Sequence, residues 1–472
     1  MAALDDWIDQ EARFAASAIT RAISATHLVK DRLGFGQRVF PRAGSVVASP
    51  VLAAYNPDPD YFFHWFRDSA IVIDALRVAQ GEGLEKRIAV DRLQEFVEFS
   101  RSLRRLDGRK ILSHRHFRDK VQSSFLQYVR PDAEIAAVFG DAVQAEARVN
   151  PDGTLDFTRW ARPQNDGPAL RVLALKRWRD AQPDLDRALQ AAMLELVVGD
   201  LEFIRSRAQE RSFDIWEEES GYHYYTQLVQ IQALARGAEW LQATGDSAQA
   251  HACRTIADEL APNLDESWSA VGGYYRSRAG VTGSAAGKSL DIAVILGVLH
   301  AGRADGVHSV LDPKAQATLS ALEDLFDAQY AINRHRPPDR GPAMGRYADD
   351  LYYGGNPWYV ATLAAAEFHF KLGNALLSGA ALAATKENAR FRERLGGTDG
   401  ARGRVAFAGA AIERGDSFMR TVQAFTPASG DLSEQFDRAT GAQTSAKHLA
   451  WSYAAFITAA ASRRRAVLAI RG

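Results

Sequence analysis

Six stretches of this chain, wound as helices, would be apolar on nearly every side: RDSAIVIDAL (67–76), DGPALRVLAL (166–175), YHYYTQLVQIQAL (222–234), KSLDIAVILGVL (288–299), NPWYVATLAAAEF (356–368) and AKHLAWSYAAFITAA (446–460). The third is more polar than the others but similarly aromatic at its start. A helix without a polar face must be surrounded by protein. Helices of the ordinary amphipathic kind fall between these six. Segments near 86–104, 183–208 and 313–330 carry apolar residues at three- and four-residue spacing, as in Leu93, Phe96 and Val97, or Leu319, Leu322, Leu325 and Phe326. Asp312 followed by Pro313 is a cap and then a first-turn proline, a strong helix start. Six buried helices alternating with outer ones predict an all-α fold, an (α/α)6 barrel of six inner and six outer helices. Short connections make chain neighbours antiparallel, so all six inner N-termini gather at one end. No fixed repeat length supports a helical solenoid instead. No linker or low-complexity stretch divides residues 1–472, which are expected to form a single domain.

Composition narrows what such a barrel does. The net charge of −1 is spread over interspersed acids and bases, which predicts neither a nucleic-acid nor a membrane partner. One cysteine, Cys253, allows no intrachain disulfide. The opening MAALDDWIDQEARFAAS has acids where a signal peptide needs bases, and no stretch reaches a membrane span, so a cytoplasmic location is expected. GxGxxG after a strand, GxxxxGK[ST], HExxH and GxSxG are all missing, and the 11 histidines show no ligand spacing. No cofactor and no metal are therefore expected, nothing specifies an oligomeric state, and the chemistry falls to carboxylates.

Five segments, each at or just before an inner helix, carry candidates. DYFFHWFRDSA (60–70) packs aromatics beside Arg67 and Asp68. These are either core rings and a capping aspartate, or a sugar site in which rings stack on pyranose faces and the Arg–Asp pair clamps hydroxyls. TRWARPQNDGPALR (158–171) offers Trp160, Arg162, Gln164 and Asp166, as a capped loop or as part of the same site. FDIWEEESGYHYYT (213–226) sets Glu217, Glu218 and Glu219 between Trp216 and a tyrosine cluster. The bracketing aromatics argue that part of the run is buried, and a glutamate against an indole has its charged form desolvated and its pKa raised, as a general acid requires. GRYADDLYYGGNPWY (345–359) flanks a tyrosine- and glycine-rich turn with Arg346 and Trp358. GDLSEQFDRATGAQTSAKHLAWSYAA (430–455) places Glu434 among polar residues, a setting expected to keep it ionised as a base. Taken singly, these segments also read as caps and surface loops. Together, two carboxylates in contrasting surroundings amid many tryptophans and tyrosines are the equipment of a glycosidase.

The segments HWFRDSA, RPQNDGPALR, WEEESGYHYYT, GRYADDLYYGGNPWY and LSEQFDRATGAQTSAKHLAWSYAA also resemble, in order, the active-site segments of glycoside hydrolase family 15, the glucoamylases. The resemblance implies an (α/α)6 barrel that removes glucose from non-reducing ends with inversion, releasing β-glucose from α-1,4-linked oligosaccharides. It implies Glu217 as general acid and Glu434 as general base. It further implies that Arg67 and Asp68 bind the terminal glucose with help from Arg346 and Glu218, while Tyr61, Trp65, Trp160, Trp216 and Trp358 build the walls. Phe66 replaces a more usual threonine, Glu219 replaces a neutral residue, and the 146–157 loop matches only loosely. An α-1,6-specific glucohydrolase and a trehalase are alternatives within the family, and a non-catalytic sugar-binding protein is an alternative outside it. The chain has room for neither an N-terminal β-sandwich nor a starch-binding module, which predicts short soluble oligosaccharides as substrates.

Overall fold

The structure is a computed structural model that describes residues 2–52, 57–85, 88–113, 117–281, 286–396 and 403–471. Twelve helices of nine residues or more, among the described residues, build the molecule: α1 (Ala2–Ala22), α2 (Phe66–Gly81), α3 (Ala89–Leu103), α4 (Gly167–Ala181), α5 (Arg187–Arg207), α6 (Tyr224–Ala243), α7 (Ser247–Asp265), α8 (Ala293–Ala301), α9 (Pro313–Gln329), α10 (Tyr359–Leu377), α11 (Arg404–Phe425) and α12 (Ala450–Arg471). The even-numbered helices form a closed inner ring, in which α2 packs on α4, α4 on α6, α6 on α8, α8 on α10, α10 on α12, and α12 back on α2. The odd-numbered helices wrap it, with α1 against α12, α3 and α5 against each other and against α2 and α4, α7 against α6, α9 against α8, and α11 against α10. This is the (α/α)6 barrel.

Sequence character sorts the two rings. The inner α8 is buried along its length except at His300, and α10 is buried from Tyr359 through Phe370. The outer α3 buries Leu93, Phe96 and Val97 on one face and shows solvent the other. All six apolar stretches lie in the inner ring. The outer segments read near 183–208 and 313–330 correspond to α5 and α9, and the Asp312 side chain accepts the Lys314 N–H as a cap should. The 86–104 segment becomes α3, with positions 86 and 87 outside the described residues. Three outer helices, α1, α7 and α11, complete the ring without having been singled out from the sequence.

Two features aim the mouth of the barrel. Between α3 and α4 the chain makes a long excursion with its own small core, in which Val121, Val129, Ile135 and Phe157 pack with Phe35 and Phe99. A two-residue strand pairing, His64 with Val149 and Trp65 with Arg148, ties this excursion to the start of α2. Short hairpins present the two glutamates. Ser212–Phe213 pairs with Ser220–His223 around the triple-glutamate turn, and Gln435–Phe436 pairs with Gln443–Thr444 just after Glu434. Among the described residues no helix is long and apolar enough to cross a membrane.

Candidate active site

Because the inner helices run the same way, their N-termini crowd round one pocket of about 210 Å³. Trp65, Arg67 and Asp68 come from the start of α2, Trp160 from the loop before α4, and Trp216, Glu217 and Glu218 from the hairpin before α6. Arg346, Tyr352 and Trp358 precede α10, while Glu434 and Leu449 come from the approach to α12 and Trp451 from its first turn. Asp291, just ahead of α8, completes the set by accepting the Trp216 indole N–H on both carboxylate oxygens at 3.1 and 2.9 Å.

The triple-glutamate turn is built by Asp214. One of its side-chain oxygens accepts the backbone N–H of Glu218 at 2.8 Å and of Glu219 at 3.0 Å, and its carbonyl accepts that of Glu217 at 3.0 Å. The turn holds Glu217 at φ +65°, a left-handed conformation that costs a non-glycine residue strain and that concentrates at functional sites. The three side chains then part company. Glu219 pairs with Arg278 at 2.5 Å, which accounts for an acid at that position. Glu218 receives Arg346 at 2.8 Å, Lys288 at 2.5 Å and the Tyr347 hydroxyl at 2.6 Å. Glu217 points into the pocket, where its Oε1 accepts the Trp65 indole N–H at 2.7 Å and an Arg67 N–H at 3.2 Å. Its Oε2 accepts the Trp160 indole N–H. The expected apolar wall against Glu217 is therefore corrected. Trp216 spends its N–H on Asp291, and the indoles that meet Glu217 do so as hydrogen-bond donors.

Arg67 is almost wholly enclosed. Its NH1 donates to Gln164 at 3.0 Å and meets Asp166 at 3.5 Å, its NH2 reaches Glu217, and its plane lies 5.6 Å from the Trp451 ring centre. Asp68 lies 3.3 Å from the Arg67 Nε, yet Arg67 Nε and Asp68 Oδ2 are buried without a hydrogen-bond partner among the described residues. Burial pushes the Asp68 carboxyl up to about 6, against the pull of Arg67. On the other side, Asp350 grips Arg346 bidentately, and the rings of Trp216, Tyr347, Tyr352 and Trp358 surround its guanidinium at 5.2–5.3 Å.

Glu434 is 3 % exposed and takes the Ser445 hydroxyl on Oε2. Burial raises its carboxyl to about 7, against the lowering effects of Ser445, Arg346 and Tyr61. The polar setting read from the sequence is thus a correction too. Ser445 does face Glu434, but the fold removes the solvent that would have kept the carboxylate at its ordinary acidity.

Of the residues named from sequence, Tyr61, Trp65, Arg67, Asp68, Trp160, Trp216, Glu217, Glu218, Arg346, Trp358 and Glu434 line this pocket. Arg162 does not. Its Nε meets Glu146 at 2.5 Å and its NH2 meets Asp156 at 3.1 Å, so its fork is consumed inside the excursion. Sequence reasoning did not single out Lys288, Asp291, Asp350, Tyr352, Ser445 or Trp451. Asp350, Tyr352, Ser445 and Trp451 lie inside segments already marked. Lys288 and Asp291 open the KSLDIAVILGVL stretch, where a lysine and an aspartate ahead of an apolar run were the available signal.

The sequence profile of the glycosyl hydrolases family 15 matches residues 36–106 and 120–461. The chain belongs to glycosyl hydrolase family 15. It is 29 % identical over 457 residues to a glucoamylase of Blastobotrys adeninivorans, covering 89 % of this chain and 68 % of that protein. To the intracellular sporulation-specific glucoamylase of Saccharomyces cerevisiae it is 28 % identical, over 88 % of this chain and 77 % of that one. The solved structure of Hormoconis resinae glucoamylase superposes with a TM-score of 0.79 at 28 % identity, covering 98 % of this chain and 74 % of the other. As a family 15 member the protein is a glycoside hydrolase.

Proposed function

We propose that this family 15 hydrolase is an inverting, exo-acting glucosidase that releases β-glucose from the non-reducing ends of α-1,4-linked glucooligosaccharides. Glu217 acts as general acid and Glu434 as general base. The observation that carries the reading is the meeting of these two carboxylates in one small pocket with the Arg67–Asp68 pair beside them. Trp451 lines this pocket and also borders a neighbouring cavity. The Arg67–Asp68 pair in the pocket wall suits the hydroxyls of a terminal glucose.

In the reaction, Glu217 gives its proton to the glycosidic oxygen as the bond to the anomeric carbon breaks. Glu434 takes a proton from a water that attacks that carbon from the opposite face. Trp65 and Arg67 donate to Oε1 of Glu217 and Trp160 to its Oε2, which fixes the carboxyl group in the pocket. Proton NMR in the first minutes of hydrolysis tests the assignment. β-Glucose must appear before its α anomer, and α-glucose appearing first overturns inversion and the base role of Glu434. The linkage is tested by parallel assays on maltose, isomaltose and trehalose, with maltose expected to be fastest. We assign the enzyme to the cytoplasm, in line with the intracellular yeast relative, and cell fractionation with an antibody to the chain checks it.

A further inference from the structure

The left-handed conformation of Glu217 has to be enforced, because a strained non-glycine residue persists only where its surroundings over-determine it. Asp214 closes the turn from within. What holds the turn from outside is one short segment, residues 288–291, just ahead of α8. Lys288, 4 % exposed, sets its ammonium 2.8 Å from Asp214 Oδ2 and 2.5 Å from Glu218 Oε2. Asp291, 1 % exposed, takes the Trp216 indole N–H on both oxygens and is itself oriented by the Ala293 N–H, which donates to its Oδ1 at 2.7 Å. Residues 214, 216 and 218 are therefore all gripped by the same four-residue segment. Glu217, between them, is left to reach across the pocket to Trp65, Arg67 and Trp160.

The segment is made fast in turn. The Lys288 carbonyl accepts the Ser277 hydroxyl at 2.7 Å, the Ser289 carbonyl accepts the Ser277 N–H at 2.9 Å, and the Ile292 N–H donates to the Arg346 carbonyl at 2.9 Å. Buried ion pairs add little stability over well-packed apolar side chains of similar volume. What a lysine and an aspartate supply here that apolar side chains do not is direction. We propose that Lys288 and Asp291 are positioning residues that aim the Glu217 carboxyl at the glycosidic oxygen by pinning the residues on either side of it. This rests on the reading of Glu217 as general acid, and it adds which distant side chains that acid depends on.

α-Glucosyl fluoride separates aim from binding. It presents the same terminal glucose as maltose, but fluoride departs with little help from an acid, whereas the sugar oxygen of maltose needs a proton. Asp291→Leu removes the acceptor of the Trp216 N–H and should lower kcat/KM on maltose about a hundredfold and on α-glucosyl fluoride by less than about threefold. Asp291→Asn keeps the size of the side chain but replaces one acceptor oxygen with a donor, so the maltose loss should be about tenfold with the fluoride rate again nearly kept. This variant carries the test if Asp291→Leu does not fold, as circular dichroism would show. Lys288→Gln, which donates without a charge, should show the same split between the two substrates. Equal losses on both would mean that the segment serves sugar binding or the fold at large, and unchanged rates on both would mean that Glu217 is aimed without it. Either result overturns the proposal. Glu217→Gln is the control, losing maltose turnover and keeping most of its fluoride turnover. If it kept maltose turnover, the acid assignment would fall and this proposal with it, whatever the Asp291 and Lys288 variants did.

Discussion

Glu434 shows how far one side chain's chemistry depends on where the fold puts it. An exposed glutamate titrates near 4.3, but burial lifts this one to about 7. The base must be ionised to act, so kcat/KM should fall as pH drops below about 7, an acidic limb nearer neutrality than an exposed carboxylate would give. Glu434→Gln should abolish that limb with most of the activity. Because its folded pKa is raised, Glu434 favours the folded state fully below about pH 4.3, and that contribution is lost as pH climbs toward 7. Glutamine does not titrate, so Glu434→Gln should be more stable than wild type at pH 8, by up to about 4 kcal/mol, and no more stable at pH 4. Denaturant titrations at the two pH values read this directly. Glu217→Gln should lower kcat by ~10² to 10⁴ while still binding maltose, and retention of more than half the wild-type kcat would remove Glu217 from the acid role. Both glutamates were legible in the sequence because flanking aromatics and polar residues marked them. Their surroundings were not legible. Which indole edge meets Glu217, and how much solvent reaches Glu434, depend on residues up to several hundred positions away.

At the scale of elements, the pocket depends on how closely α2 and α4 approach. Gly167 opens α4 against α2, and a Cβ there would lie 2.5 Å from the Phe66 Cβ and 3.2 Å from the Phe66 carbonyl carbon. Gly167→Ala must push apart the two helix starts that carry Arg67 and Asp166. A loss of about 1–3 kcal/mol is expected from overpacking, with kcat/KM on maltose falling more than tenfold. Gly81, at the far end of α2, has open space where a Cβ would go, with nothing within 4 Å, so Gly81→Ala should leave kinetics unchanged. Thermal melts and maltose kinetics on the pair separate a local clash from a general glycine effect. The inner helices were legible because burial on all sides demands an unbroken apolar surface. The outer α1, α7 and α11 were harder to single out, since an amphipathic stripe is common to any surface helix. The excursion before α4 was read only through its last segment. There Arg162, which looked like a sugar ligand, is spent on Glu146 and Asp156.

For the whole molecule, closure is the decisive event. Contact between α12 and α2 joins the two ends of the inner ring, and Trp451 on α12 faces Arg67 on α2 across the pocket. If the twelve helices form one domain, none can leave without opening the ring. Tryptophan fluorescence, to which the five pocket tryptophans contribute, and far-ultraviolet circular dichroism, which reports the helices, should then lose their signals at one midpoint. A pocket signal that melted first would mean that the mouth is a separate unit.

By itself the sequence determined the helix count of the inner ring, the end at which its N-termini gather and the segments that meet there. These follow from local pattern: apolar periodicity makes helices, and residues beside a helix start stay beside it in any fold. Only the tertiary structure decided which neighbours those side chains keep. The three N–H donors on Glu217 come from the start of α2 and from the approach to α4, and the burial of Glu434 comes from both ends of the ring. Ionisation and hydrogen bonding respond to what lies within a few ångströms in space, and a closed ring brings into that range residues that a sequence keeps far apart.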